Sequence, residues 1–119
     1  MAVTTVLIVD DHPSFRATAH AVLAAEGFVV VGEAADGASA LAAAEQLHPD
    51  VVLLDVQLPD IDGFEVASRL TANGGGPAVV MVSSRDGCEF GSLVESSGAR
   101  GFVPKGELSG AAVSALIEK

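Results

Sequence analysis

Five short apolar runs, at 5–9, 29–34, 51–54, 78–82 and 101–103, alternate along the chain with segments whose apolar residues recur at helical spacing. Alternation of this kind predicts a parallel sheet with helices on both faces, because each strand needs a crossover before the next can run in the same direction. In the first helical segment Pro13 suits the opening turn, Phe15, Ala19, Val22 and Leu23 form one stripe, and Gly27 stops it. Ala40, Leu41, Ala44 and Leu47 make a second stripe, ended by His48-Pro49. Phe64, Ala67 and Leu70 make a third, ended by Asn73 and three glycines. Between Gly87 and Gly98 only Phe90, Leu93 and Val94 suggest a face, and Gly91 with three serines lowers helix propensity. A last helix is expected from Glu107 to Glu118, with Leu108, Ala112, Ala115 and Leu116 on one side.

Acidic residues punctuate these strands. Asp10 and Asp11 follow the first, and Asp55 follows the third. Open α/β sheets build their sites at the carboxyl ends of strands. Right-handed crossovers alone allow strand orders 3-2-1-4-5 and 2-1-3-4-5, but the three carboxylates converge only when the first and third strands are neighbours. The expected fold is therefore a doubly wound five-stranded parallel sheet in the order 2-1-3-4-5, a three-layer sandwich. Two unit charges 4 Å apart repel by about 4 kcal/mol at an effective dielectric near 20. Three clustered carboxylates thus call for a cation, and an all-oxygen site suits Mg²⁺, which takes one or two carboxylates and keeps positions for phosphoryl oxygens.

Composition narrows the function classes. A chain of 119 residues, half of them apolar, is long enough for one domain with a buried core and too short for two ordinary ones, so 1–119 reads as a single domain. Six basic against sixteen acidic side chains give a net charge of -10. Such a surface repels nucleic-acid phosphates and anionic membranes, so neither is an expected partner. The lone Cys88 excludes an internal disulfide and is read as an incidental thiol. No basic, apolar leader follows Met1, and the expected location is cytoplasmic.

Two more polar groups stand at strand ends: Ser83 closes the fourth run, and Lys105 follows the fifth. Lys105 is one of only two lysines, the other being Lys119, so general surface use does not explain it. An ammonium there can answer a phosphoryl oxygen as a point charge. The acidic pair Asp10-Asp11, the segment from Leu54 to Gly63, Ser83, Phe102 and Lys105 together make the chain resemble, over essentially its whole length, the receiver domain of bacterial two-component response regulators. That resemblance implies a flavodoxin-like fold, with Asp55 accepting a phosphoryl group from a sensor histidine kinase or phosphotransfer protein. It implies that Asp10, Asp11, Asp55 and the backbone carbonyl of Gln57 bind Mg²⁺ or Mn²⁺, and that Lys105 and Ser83 contact the phosphoryl oxygens. It further implies a switch through Ser83 and Phe102 toward a face formed by the fourth helix, fifth strand and fifth helix, used for partner binding or a homodimer. Such a module is not an enzyme on other molecules; it catalyses only its own phosphorylation and dephosphorylation. The wording from Asp10 to Arg16 and from Ala99 to Lys105 looks most like receivers fused to a helix-turn-helix output domain, and hence transcription regulation.

Departures exist. Leu58 stands where the family often has Met, a nearly volume-conserving change. Gly106 stands where the family commonly has a proline preceded by a cis bond, which without proline costs about 3 kcal/mol. Phe102 keeps a ring but loses the hydroxyl of the frequent Tyr.

Single residues also admit simpler roles. Asp11 or His12 could cap the helix opening at Pro13, and Asp60 and Asp62 are turn and cap residues after Pro59. Ser83 could be an ordinary strand-end hydroxyl and Phe102 ordinary core, while His20 and His48 read as bland. A haloacid-dehalogenase-type phosphatase would carry a second Asp at position 12, where His stands. A flavodoxin-type nucleotide or flavin site would need a Gly- or hydroxyl-rich loop after the first strand, and Asp10-Asp11-His12-Pro13 is the reverse. A receiver serving only as a phosphorylation-independent scaffold is disfavoured by the intact acid set with Ser83 and Lys105.

Overall fold

The computed structural model describes residues 3–72, 74, 76–84 and 91–117. Five strands, β1 (Thr5–Val9), β2 (Val29–Ala34), β3 (Val51–Asp55), β4 (Ala78–Ser83) and β5 (Gly101–Pro104), pair in parallel in the order 2-1-3-4-5. Helices α1 (Pro13–Ala25), α2 (Gly37–Leu47), α3 (Gly63–Thr71), α4 (Gly91–Ser96) and α5 (Gly110–Ile117) supply the crossovers.

Strand periodicity divides the core in two. Leu7, Val9, Val52, Leu54, Val79 and Met81 face Ala40 and Ala44 of α2 and Val66 and Ala67 of α3. Val6, Ile8, Val51, Leu53, Val80 and Val82 face Ala19 and Leu23 of α1 and Val113 of α5. The central strands are buried on both faces, which is why they read as continuous apolar runs and not as alternating ones. A polar latch closes the opposite end of the sheet from the acids. Asp50 Oδ2 accepts from the Thr5 N–H (2.9 Å) and hydroxyl (3.1 Å), while the Asp50 N–H donates to Thr5 Oγ1 (2.9 Å).

Several helical details depart from the expected stripes. Leu47 is 42% exposed because it ends α2 over β2, an edge strand of the sheet. On α4 the buried side chain is Val94, so its neighbour Leu93, about 100° around the axis, is left 50% exposed. Phe90 and Cys88 lie outside the described residues. The last helix starts later than expected: Lys105–Glu107 form a 3-10 turn, and Ser109 Oγ accepts from the Ala112 N–H (3.0 Å) at the start of α5. Leu108 therefore precedes the helix, Ala115 is exposed, and Val113 is the helix's fully buried apolar anchor. Helix α1 stops as expected, with Gly27 at φ +94°.

Candidate functional site

Because β1 and β3 are neighbours, Asp10, one residue past β1, and Asp55, the last of β3, meet at the same sheet end. Asp10 and Asp55 are buried, while Asp11 and His12 are exposed, and one ligand atom from each of the four lies within 4.8 Å of the others. Ser83 ends β4 and is buried; Lys105 follows β5 and swings its ammonium across. Lys105 Nζ lies 2.5 Å from Asp10 Oδ2 and 3.4 Å from Asp55 Oδ2. Asp10 Oδ2 accepts no well-aligned hydrogen bond, so the nearby ammonium is its counter-charge without being a full partner for its lone pairs. The peptide after Lys105 is trans, as are all others among the described residues.

Burial, and then the charge of Asp10, push the Asp55 carboxyl above its ordinary 3.8; the Lys105 ammonium and the Gln57 N–H (3.3 Å) act in the opposite direction. This leaves a carboxylate poorly solvated and held beside a cation that can answer negative charge on an incoming group. A shallow cleft of about 430 Å³ opens beside it, lined by Asp11, Val56, Gln57, Leu58, Pro59 and Asp62.

The predicted residues are thus brought together except Phe102, which is half-buried on β5, packs against the core of the α2–α3 side and belongs to the face beyond the acids. Neither proposed cap of α1 is used: His12 occupies the N-cap position without a side-chain bond to the helix, and its own N–H donates to Asp10 Oδ1 (2.8 Å). Asp62 caps α3 by accepting from the Phe64 N–H (2.7 Å).

Three contacts went unread in the sequence. Asp60 is more than a local turn residue: it reaches back to α2 and accepts from the N–H groups of Gly37 (2.7 Å) and Ala38 (2.9 Å), which with the Ile61 N–H hold its carboxyl below the ordinary 3.8. Arg16 donates from Nη1 to the Asp10 carbonyl (2.6 Å) while Nε pairs with Glu33 on β2 (3.1 Å). Phe15 sets its ring 4.6 Å from the Lys105 ammonium. Only Phe15 carried a signal, as an apolar residue one turn beyond the acid pair. Asp60 and Arg16 are polar side chains whose partners lie in other elements, 23 residues away for Gly37 and 17 for Glu33, with no local pattern to mark them.

A family model for the response regulator receiver domain matches residues 6–116. The chain belongs to that family. As a receiver it is 38% identical over 102 residues to BvgA of Bordetella pertussis, named as a positive transcription regulator of virulence factors, an alignment covering 86% of this chain and 49% of BvgA. The chain spans about half the length of the curated relatives it matches. Among solved structures, the receiver domain of the response regulator NarL from Mycobacterium tuberculosis superposes with a TM-score of 0.88 at 31% identity, covering 100% of both chains. A CheY in a CheX-CheY-BeF₃-Mg complex from Borrelia burgdorferi superposes with a TM-score of 0.83 at 28% identity, covering 96% of this receiver and 86% of that chain. The fold and the family are thereby established, and membership of that family implies phosphorylation-based signalling; among the described residues no helix is long and apolar enough to cross a membrane.

Proposed function

We propose that Asp55 is the phospho-acceptor of this receiver, that Mg²⁺ or Mn²⁺ is required, and that the donor is the phosphohistidine of a sensor kinase or phosphotransfer protein. The observation that carries the reading is the buried Asp10–Asp55 pair with the Lys105 ammonium between its carboxylates. The residues fit a divalent cation: the acid set offers oxygen ligands clustered within 4.8 Å of one another, and buried Asp10 Oδ2 accepts no well-aligned hydrogen bond. Asp10, Asp11, Asp55 and the Gln57 carbonyl would hold the ion, which would neutralise charge on the transferring group. The relative whose complex contains both BeF₃ and Mg²⁺ supports the same assignment by likeness.

In the transfer, an Asp55 carboxylate oxygen attacks phosphorus and the phosphorus–nitrogen bond of the donor breaks, leaving an acyl phosphate on Asp55 and a neutral imidazole. Charge spreads over three equatorial oxygens, so positioning and electrostatics dominate. Lys105 is already paired with Asp55 and turns to one of these oxygens; the Ser83 hydroxyl, at the end of the adjacent strand, serves another. Arg16 holds the main chain of Asp10, and Phe15 supports the ammonium. Water later attacks phosphorus, releasing phosphate and restoring the carboxylate, so the mark is temporary.

Phosphorylation is read out through Ser83 and Phe102 at the face of α4, β5 and α5, where a partner, a second copy or an attached output domain responds. We take residues 1–119 as one receiver unit acting in the cytoplasm without contacting nucleic acid itself, a reading supported by its charge of -10. Its likeness to BvgA points to transcription regulation as the output. Incubation with acetyl phosphate and Mg²⁺ should add one phosphate by intact mass; undiminished uptake in EDTA would contradict the metal requirement.

A further inference from the structure

His12 is an odd choice for its backbone position. Ser, Thr, Asp or Asn at the N-cap would satisfy a helical N–H, whereas the imidazole gives α1 no bond. Its side chain is 65% exposed, and Nδ1 stands 3.1 Å from Asp10 Oδ1 and 3.1 Å from Asp11 Oδ1. Neighbouring ligand atoms around a single cation bonded at about 2.1 Å are separated by about 3 Å. Nδ1 and the two carboxylate oxygens therefore have the spacing of one face of a coordination shell, with an Asp55 oxygen inside the same 4.8 Å cluster.

We infer that His12 is a nitrogen ligand of the acid cluster, through which this receiver takes zinc-like divalent transition ions as well as Mg²⁺. The inference rests on the proposed cation site and adds a donor to it. Nδ1 can carry a proton for the carboxylates or offer its lone pair to a cation, and not both. Mg²⁺ gains little from imidazole, which it rarely takes as a ligand; Zn²⁺, Ni²⁺ and Co²⁺ favour nitrogen. Three carboxylates and one imidazole form a donor set suited to Zn²⁺ that the acids alone do not provide. Borderline ions would then compete with Mg²⁺ for the phosphorylation site, and His12 would set how strongly.

The test is a titration of Zn²⁺ alone, then Mg²⁺ alone, into the full 119-residue chain at one fixed pH. Long-range proton–nitrogen spectra should show the His12 Nδ1 resonance moving with Zn²⁺ while His20 and His48 stay in place. By calorimetry, His12→Gln should bind Zn²⁺ about tenfold more weakly than wild type, with Mg²⁺ affinity changed by less than about twofold. An unmoved His12 Nδ1, or equal Zn²⁺ affinity in the two proteins, would overturn the inference. The cation site itself would survive that result if Asp11→Asn weakens Mg²⁺ binding; if Asp11→Asn weakens neither ion, the acid cluster is not the site and both readings fall.

Discussion

Asp55 shows how a single carboxyl is tuned by its place in the fold. Burial and the Asp10 charge raise its pKa above 3.8, and Lys105 opposes them. Replacing Lys105 with Met should therefore move the metal-free carbon-13 titration of the Asp55 carboxyl to higher pH; a shift to lower pH would mean that the ammonium is not its counter-ion. The stability consequence has a definite sign. A carboxyl whose folded pKa exceeds its unfolded value costs stability while ionised, so this cost is present at neutral pH and is relieved as pH falls through the folded pKa toward 3.8. Charge relief is testable at Asp11 too. Without metal, Asp11→Asn should raise the melting temperature by about 3–5 °C, equivalent to roughly 1 kcal/mol, and should reduce the further rise that Mg²⁺ produces. A melting curve of the wild type indifferent to millimolar Mg²⁺ would count against the cation site.

Between elements, the loop from β3 to α3 is held from two sides. Asp60 ties it to the first turn of α2, and Gly63 opens α3 so close to the strand end that a Cβ would lie 2.2 Å from the Asp55 carbonyl oxygen. Gly63→Ala must displace backbone and should cost about 3 kcal/mol by denaturant unfolding, with slower phosphoryl uptake at Asp55. For Asp60→Asn, amide exchange at Gly37 and Ala38 should accelerate. Because the Asp60 carboxyl is held below 3.8, its contribution to stability is present above that value and fades as pH falls through the lower folded pKa. These contacts mark where sequence reading ran out. Strand order was legible because three carboxylates needed a common end, and α1 because Pro13, the apolar stripe and Gly27 agree. Asp60 looked like any turn acid after proline, since nothing local signals a bond across 23 residues. The start of α5 was misread because Leu108 fits the apolar stripe, while the decisive cue, Ser109 as cap, is a single common residue.

Across the whole molecule, the chemistry lies at one end of the sheet while the proposed output face lies along its β5 edge, so phosphorylation must change the conformational population of residues beyond the acids. Beryllofluoride, standing in for the phosphoryl group on Asp55, should alter amide exchange at the end of β4, in α4 and in β5, and should leave α1 nearly unchanged. Changes confined to the acid loops would make Phe102 ordinary core, with no switch through it. The measurement that bears most directly on the account is site mapping of the acetyl phosphate product. With Mg²⁺ present, the wild-type chain should gain a single hydroxylamine-labile phosphate that peptide mass spectrometry places on Asp55, and Asp55→Asn should gain none. Equal labelling of Asp55→Asn, or a stable phosphate on another residue, would contradict it.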